Sequence, residues 1–242
     1  MCIGAVTLLG LAKGGFAGAG MVATPMMALI IPPLQAAAIF LPILLVQDVI
    51  SVWVYRRDWD AWNLKVMLPG AVIGIAVAWV LAAYLSDSMV RLAVGLIGLA
   101  FVLNAWFGQM PVKARQPNAL SGAFWGGLSG FTSTMVQAGG PPFQVFLLPQ
   151  RLPKLTFVGT NAIFFAAVNL LKVLPYFALD QFSTKTLEIS LVMLPLAIAT
   201  NFLGIWLVRV TPVVLFYRIA YVLVFVISLG LTWQAGRALL HG

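Results

Sequence analysis

The chain has 242 residues, of which 62% are hydrophobic and 8% charged, with a mean hydropathy of +1.03. An ordinary soluble domain carries about 25% charge, so this composition argues against a water-soluble fold and selects a polytopic membrane protein. The net charge of +8 does not point to nucleic acid, because the basic residues stand mainly singly or in pairs between apolar runs, as in the cytoplasmic loops of membrane proteins. The single cysteine, Cys2, cannot form an internal disulfide, and no Cys/His cluster offers a metal site. No cofactor is expected. The apolar start Met1 to Ala12 lacks a basic leader, and Leu11-Ala12-Lys13-Gly14 is a poor cleavage site, so no removable signal peptide is expected.

In chain order, the first element is an apolar run over 2–31 that small residues interrupt. It contains Gly10-Leu11-Ala12-Lys13-Gly14-Gly15-Phe16-Ala17-Gly18-Ala19-Gly20 and continues to Thr24-Pro25. Three uninterrupted apolar runs follow, over 35–55, 64–85 and 89–107, each close to the roughly 20 residues that cross a bilayer as helix. A polar segment containing Lys113 and Arg115 then separates two apolar halves. The second half repeats the order. A broken run over 119–148 carries Gly126-Gly127-Leu128-Ser129-Gly130 and Gly139-Gly140-Pro141-Pro142, and continuous runs follow over 155–178, 186–208 and 212–235.

The halves also align outside the broken runs. Leu68-Pro69 corresponds to Leu194-Pro195, Arg91 to Arg218 and Trp106 to Trp233, with fifteen positions from Arg to Trp in both halves. The expected organisation is a first repeat over 1–108, a cytoplasmic linker over 109–118 and a second repeat over 119–242. Each broken run divides into arms of about 10 to 13 residues, too short to cross, which reads as a re-entrant hairpin. Each half then crosses three times, and the second repeat is inverted. Full spans would instead give parallel repeats. Loop charge favours hairpins: they place Arg56, Arg57, Lys65, Lys113, Arg115, Arg151, Lys154 and Arg209 on one side, the cytoplasmic one, with Lys185 and Arg237 opposite. The expected fold is an all-α integral membrane protein of two inverted repeats, each a broken hairpin plus three transmembrane helices.

Lys13 stands immediately before Gly14-Gly15 in a run otherwise free of charge. An intramembrane cation is expensive and is a functional candidate with a natural role in attracting an anion; the plainer reading is a side chain that snorkels to the interface. Glycines beside it let backbone N–H groups approach a ligand at a half-helix end, where the helix dipole favours negative charge. The same logic applies to Gln137, Gly139 and Gly140. Two such ends meeting at the bilayer midplane would form an anion site, although small residues also serve simple helix packing. Thr24, Thr160 and Asn161 complete the candidate substrate-binding set.

Gln47 and Asp48 lie inside the first continuous run, and Asn161, Asn169 and Lys172 inside its counterpart. A carboxylate in a membrane helix faces the bundle interior, paired, hydrated or protonated. Asp48 is thus a candidate to relay a proton or to pair with Lys13, or a structural group hydrogen-bonded near the surface. Gln47, Asp48, Asn169 and Lys172 are assigned to the pathway or its coupling. Arg91 and Arg218 read as headgroup anchors. No phosphate-binding loop, His-Glu-x-x-His pair or nucleophile with a histidine base is present, so an enzyme is not expected.

These residues resemble the TauE/SafE family of sulfite exporters and related permeases. The resemblance is sharpest over Gly130-Phe131-Thr132-Ser133-Thr134, Ala138-Gly139-Gly140-Pro141-Pro142, Phe157-Val158-Gly159-Thr160-Asn161 and Lys172-Val173-Leu174-Pro175-Tyr176, and looks like a subgroup carrying Gly-Gly-Pro-Pro. In the first copy Gly18-Ala19-Gly20 stands where three glycines are common. The resemblance implies a multi-pass inner-membrane transporter, an exporter of sulfite, a sulfonate or another sulfur-containing or organic anion. The expected partners are that anion and the lipid bilayer, and a homodimer is compatible with the reading. The alternative is a non-transporting membrane subunit that serves as an assembly partner.

Overall fold

The computed structural model describes residues 2–15, 23, 33–81, 84, 86–107, 118–178 and 183–241. Among these the chain is helical: α1 (Cys2–Gly14), α2 (Pro33–Tyr55), α3 (Ala61–Leu81), α4 (Asp87–Phe107), α5 (Ala119–Val136), α6 (Gly140–Leu147), α7 (Lys154–Ala178), α8 (Thr184–Val210) and α9 (Val213–His241), with a 3-10 turn at Leu148–Gln150. The continuous runs of the sequence reappear as α2, α3, α4, α7, α8 and α9. Four helices are long and apolar enough to cross a membrane, at Ala61–Leu81, Lys154–Ala178, Thr186–Val210 and Val213–Leu239. The expected return arm of the first hairpin, with Thr24, and most of the linker, with Lys113 and Arg115, lie outside the described residues.

The chain forms two compact units, and neither coincides with a sequence half. Unit 1 comprises Met1–Asp60 and Lys154–Phe216; unit 2 comprises Ala61–Pro153 and Tyr217–Gly242. In unit 1, α1 runs alongside α8 in the same direction. A Cβ at Gly10 would meet Thr200 and Asn201, and one at Gly14 would meet the backbone of Gly204 and Ile205 at 2.5 Å. Lipid offers no hydrophobic drive between helices, so backbones that touch through small residues gain dispersion contact instead. Helix α2 packs antiparallel to α7: Asp48 meets Asn169, and Leu41 packs with Tyr176. At one end of this unit, Lys154 donates to the carbonyls of Val208 (2.6 Å) and Thr211 (2.7 Å), closing the last turn of α8 with a cation where the helix dipole favours one.

Unit 2 uses the same device. Cβ atoms at Gly70 and Gly74 would lie 2.0 and 1.9 Å from the carbonyl oxygens of Ala123 and Gly127, so α3 and α5 touch backbone to backbone in parallel. Helices α4 and α9 meet through Gly95 and Gly98 against Ser228 and Thr232, and Phe101 stacks on Tyr221 at 5.8 Å. Helix α6 runs back along α5, since Ser129 reaches Gly139 and the Phe146 ring lies beside Gly122.

The arms of this second hairpin differ from expectation. Helix α5 has 18 residues and α6 has 8, with the break at Gln137–Gly139. Gly126-Gly127 and Gly130 do not interrupt α5. Gly126 and Gly130 face α3, and Thr132 and Thr134 donate to the carbonyls one turn back, so a polar, glycine-rich stretch remains helical. Helix α9 also extends past the expected end at 235 to His241, its last turns carrying Arg237 over the ring of Trp233 at 5.3 Å.

Candidate functional site

The end of α1 is built from three features. Gly15 has φ +134°, a conformation that L side chains rarely adopt, and its N–H returns to the carbonyl of Ala12 at 3.1 Å. The carbonyls of Lys13 and Gly14, at the end of the helix, are met from α2: Ser51 donates to Lys13 O (2.9 Å) and Tyr55 to Gly14 O (2.7 Å). The Lys13 side chain leans back along the helix, as helical side chains do, and its ammonium pairs with Asp48. Asp48, Ser51 and Tyr55 lie on one face of α2 at the spacing of successive helical turns.

The break therefore sits within the last turns of α2, whose final residue is Tyr55, and not opposite its centre. The lysine does not snorkel outward. Its side chain is 11% exposed and that of Asp48 5%.

Helix α7 closes the other side with a stripe of Phe165, Asn169 and Lys172, spaced i, i+4, i+7. Asn169 Nδ2 donates to Asp48 Oδ2 at 2.7 Å, so both carboxylate oxygens are engaged. The ring of Phe165 lies 6.0 Å from the Lys13 ammonium, at the reach of a cation–π contact. Lys172 is fully buried and close enough to Lys13 and Asp48 to interact electrostatically with both. Gln47 faces α8, donating to Ala197 O at 2.9 Å while its own carbonyl accepts from Asn201 Nδ2 at 3.0 Å. Among the described residues its side-chain oxygen is buried without a partner, as is Oδ1 of Asn161.

Five predicted residues, Lys13, Gln47, Asp48, Asn169 and Lys172, are thus drawn into one buried polar core of unit 1. Thr160 belongs to it less directly: its hydroxyl accepts from the Asp60 N–H (2.9 Å) and donates to Thr156 O (2.7 Å), tying the α2–α3 connection to α7. Gly14 is spent on contact with α8. Sequence reasoning missed Ser51, Tyr55, Phe165 and Asn201. The first two were readable from the helical spacing that starts at Asp48, and the third from the stripe that contains Asn169.

The second break, in unit 2, carries no charge. Gln137 adopts the left-handed conformation (φ 55°, ψ 27°) and its N–H bonds to Thr132 O. Gly139 is right-handed helical (φ −72°, ψ −17°), so the turn's positive φ belongs to a glutamine and not to the glycines. Ser129 donates to Gly139 O at 2.7 Å and Thr132 to Ala138 O at 3.1 Å. Pro141 and Pro142 have no N–H, and the N–H of Phe143 bonds to Gly139 O at 3.3 Å. The donors this helix start can present are the N–H groups of Gly139 and Gly140, half of what an ordinary helix start offers.

An apolar helix that breaks beside a buried ion pair is a feature of helical membrane proteins of the transporter class. The chain belongs to the TauE/SafE family: the model of sulfite exporter TauE/SafE matches residues 2–231. It is accordingly a multi-pass inner-membrane protein of a family of anion transporters. No curated protein and no solved structure matches the chain.

Proposed function

We propose that this protein is a secondary exporter of a small anion, such as sulfite or a sulfonate, and that Lys13 is its principal substrate ligand. The observation that carries this reading is the buried Lys13–Asp48 pair at the end of a broken helix, with the Asn169 amide on the carboxylate and the Lys172 side chain within electrostatic reach. A buried pair is weak support for stability, because desolvating two charges offsets most of their attraction. Its place at a backbone break, where the Gly15 turn removes side-chain bulk, fits a ligand site better than a packing device. At the second break, the N–H groups of Gly139 and Gly140 are the donors proposed for the anion.

The repeat is read as inverted. Supporting this, the corresponding helices α2 and α7 pack antiparallel in unit 1, as do α4 and α9 in unit 2, and each broken helix, α1 or α5, pairs with the proline-containing helix of the other half, α8 or α3. The basic residues Arg56, Arg57, Lys154 and Arg209 gather at one end of unit 1, the end assigned to the cytoplasm. Cysteine accessibility at positions 113 and 151 tests the topology, and labelling from opposite faces would reject it.

The function is tested by flux in proteoliposomes holding purified protein, with a panel of sulfite, sulfate, methanesulfonate, sulfoacetate and acetate. Uptake or release of at least one anion without any partner protein is expected. A folded protein that moves none of them has another role.

A further inference from the structure

Lys13 has a resident counterion, which poses a problem for any anion that would bind it. Asp48 holds the Lys13 ammonium through Oδ1 and is itself held by Asn169 through Oδ2. A monovalent anion arriving at Lys13 must either share the ammonium with a carboxylate or take that carboxylate's place. Sharing puts two negative charges within contact distance in a desolvated core, where like charges repel strongly. Displacement leaves Asp48 ionised without its partner, a buried charge whose exposure to apolar surroundings costs several kcal/mol. Both costs vanish if Asp48 takes up a proton as it lets go.

We propose, on the reading of Lys13 as the anion ligand, that the transported anion replaces Asp48 on Lys13 while Asp48 is protonated from the same side, so that anion and proton cross together. The Lys13–Asp48 ion pair is then the neutral, empty form of the carrier. In the loaded form the anion neutralises Lys13 and the carboxylic acid of Asp48 is neutral, so the charge of the site is the same in both. The proton comes from the bathing solution and forms an O–H bond on a carboxylate oxygen; it returns to solution on the far side when the ion pair closes again. Asn169 suits both states, because its amide can donate to a carboxylate or, turned over, accept from a carboxylic acid.

The groups around Asp48 fit this cycle. From α1 it faces Lys13, and from α7 Asn169 and Lys172. From α8 comes Asn201, which does not titrate in water and is bonded to Ser51 and to the Gln47 carbonyl beside it. Lys172 adds a second basic side chain near the site in either form. One consequence concerns energetics. A bare monovalent anion leaving an inside-negative cell is driven outward by the potential, whereas an anion leaving with a proton gains nothing from the potential and is driven by the concentration gradients of the pair.

The test uses the full-length protein in proteoliposomes with methanesulfonate, which stays monovalent across the working pH range so that any proton dependence comes from the protein, and with sulfite in parallel. With the potential clamped at zero, a pH gradient of one unit should drive about a tenfold accumulation of the anion on the alkaline side, the direction in which anion and proton products equalise. A potential of about 59 mV, worth the same tenfold for an anion moving alone, should leave its distribution unchanged. Asp48→Asn, close in shape and able to keep a bond to Asn169, should lose the response to the pH gradient, and its anion affinity should no longer fall as pH rises. Asp48→Glu should retain both responses. Flux in the wild type that follows the potential and ignores the pH gradient would overturn the coupling while leaving the transporter intact. Coupling that survives in a folded Asp48→Asn protein would overturn the role of this carboxylate. Absence of flux for every anion of the panel would remove the transport reading and the coupling with it.

Discussion

At the first break the carbonyls of Lys13 and Gly14 are closed by Ser51 and Tyr55 of another helix, whereas at the second the carbonyls of Ala138 and Gly139 are closed by Thr132 and Ser129 of the helix that has just ended. The second break is self-contained. Its carbonyls are closed from α5, and two prolines remove N–H groups that would otherwise need partners in an apolar setting. The first break exists only when α2 is docked against α1, and the same face of α2 that closes it also supplies Asp48. Any rearrangement of the ion pair is thereby linked to the backbone at Gly14–Gly15. The comparison teaches that glycine-rich breaks of similar sequence differ in chemistry: one is a fixed turn, the other a turn joined to charge.

The sharpest way to break this contrast is at Lys13. Lys13→Ala should reduce anion flux to background and, by stranding the Asp48 carboxylate, lower stability by about 3 to 5 kcal/mol. Adding Asp48→Asn to the same chain should restore most of the stability, read as thermal unfolding in detergent, without restoring flux. A single Lys13→Ala protein with wild-type flux would reject the lysine as a ligand.

Next in size is the backbone contact beside each break. Gly14→Val places a branched side chain where Cβ already meets Gly204 at 2.5 Å, and Gly74→Val does so at 1.9 Å from the Gly127 carbonyl. Each should cost about 1 to 3 kcal/mol through forced separation of helices. Gly14→Val should also perturb the ion pair, while Gly74→Val should change folding yield with little effect on substrate affinity in the fraction that folds.

A smaller effect separates the two turns. Gly15→Ala meets φ +134° and lies 2.6 Å from Val208 Cγ2, so it should destabilise by about 1 kcal/mol or more. Gly139→Ala, at φ −72°, suffers no such backbone strain and should unfold at nearly the wild-type temperature. Equal losses at the two sites would show that backbone sign is not what distinguishes them.

The hydroxyl caps give the finest comparison. Tyr55→Phe and Ser129→Ala each remove one interhelical or turn bond worth about 1 kcal/mol. Tyr55→Phe should alter transport kinetics as well as melting temperature, and Ser129→Ala only the latter. As a reference of opposite sign, Gly230→Ala on α9 meets nothing within 4 Å and should raise helix stability by up to about 1 kcal/mol.

Apolar run length alone determined that this chain is a helical membrane protein, and it placed six helices, with the end of α9 missed by six residues, because a helix in lipid must satisfy its own backbone and needs a fixed length to do so. The rarity of charge in those runs likewise singled out Lys13, Asp48 and Lys172. The tertiary structure decided what the glycines do. Gly126 and Gly130 looked like breakers, but helix breaking is a local tendency that yields when a neighbouring backbone fills the space a side chain would have taken. It also decided that Lys13 turns inward to Asp48, and that each compact unit draws helices from both halves of the chain. Those outcomes rest on which helices meet, and composition along one helix carries no record of the partner it will find.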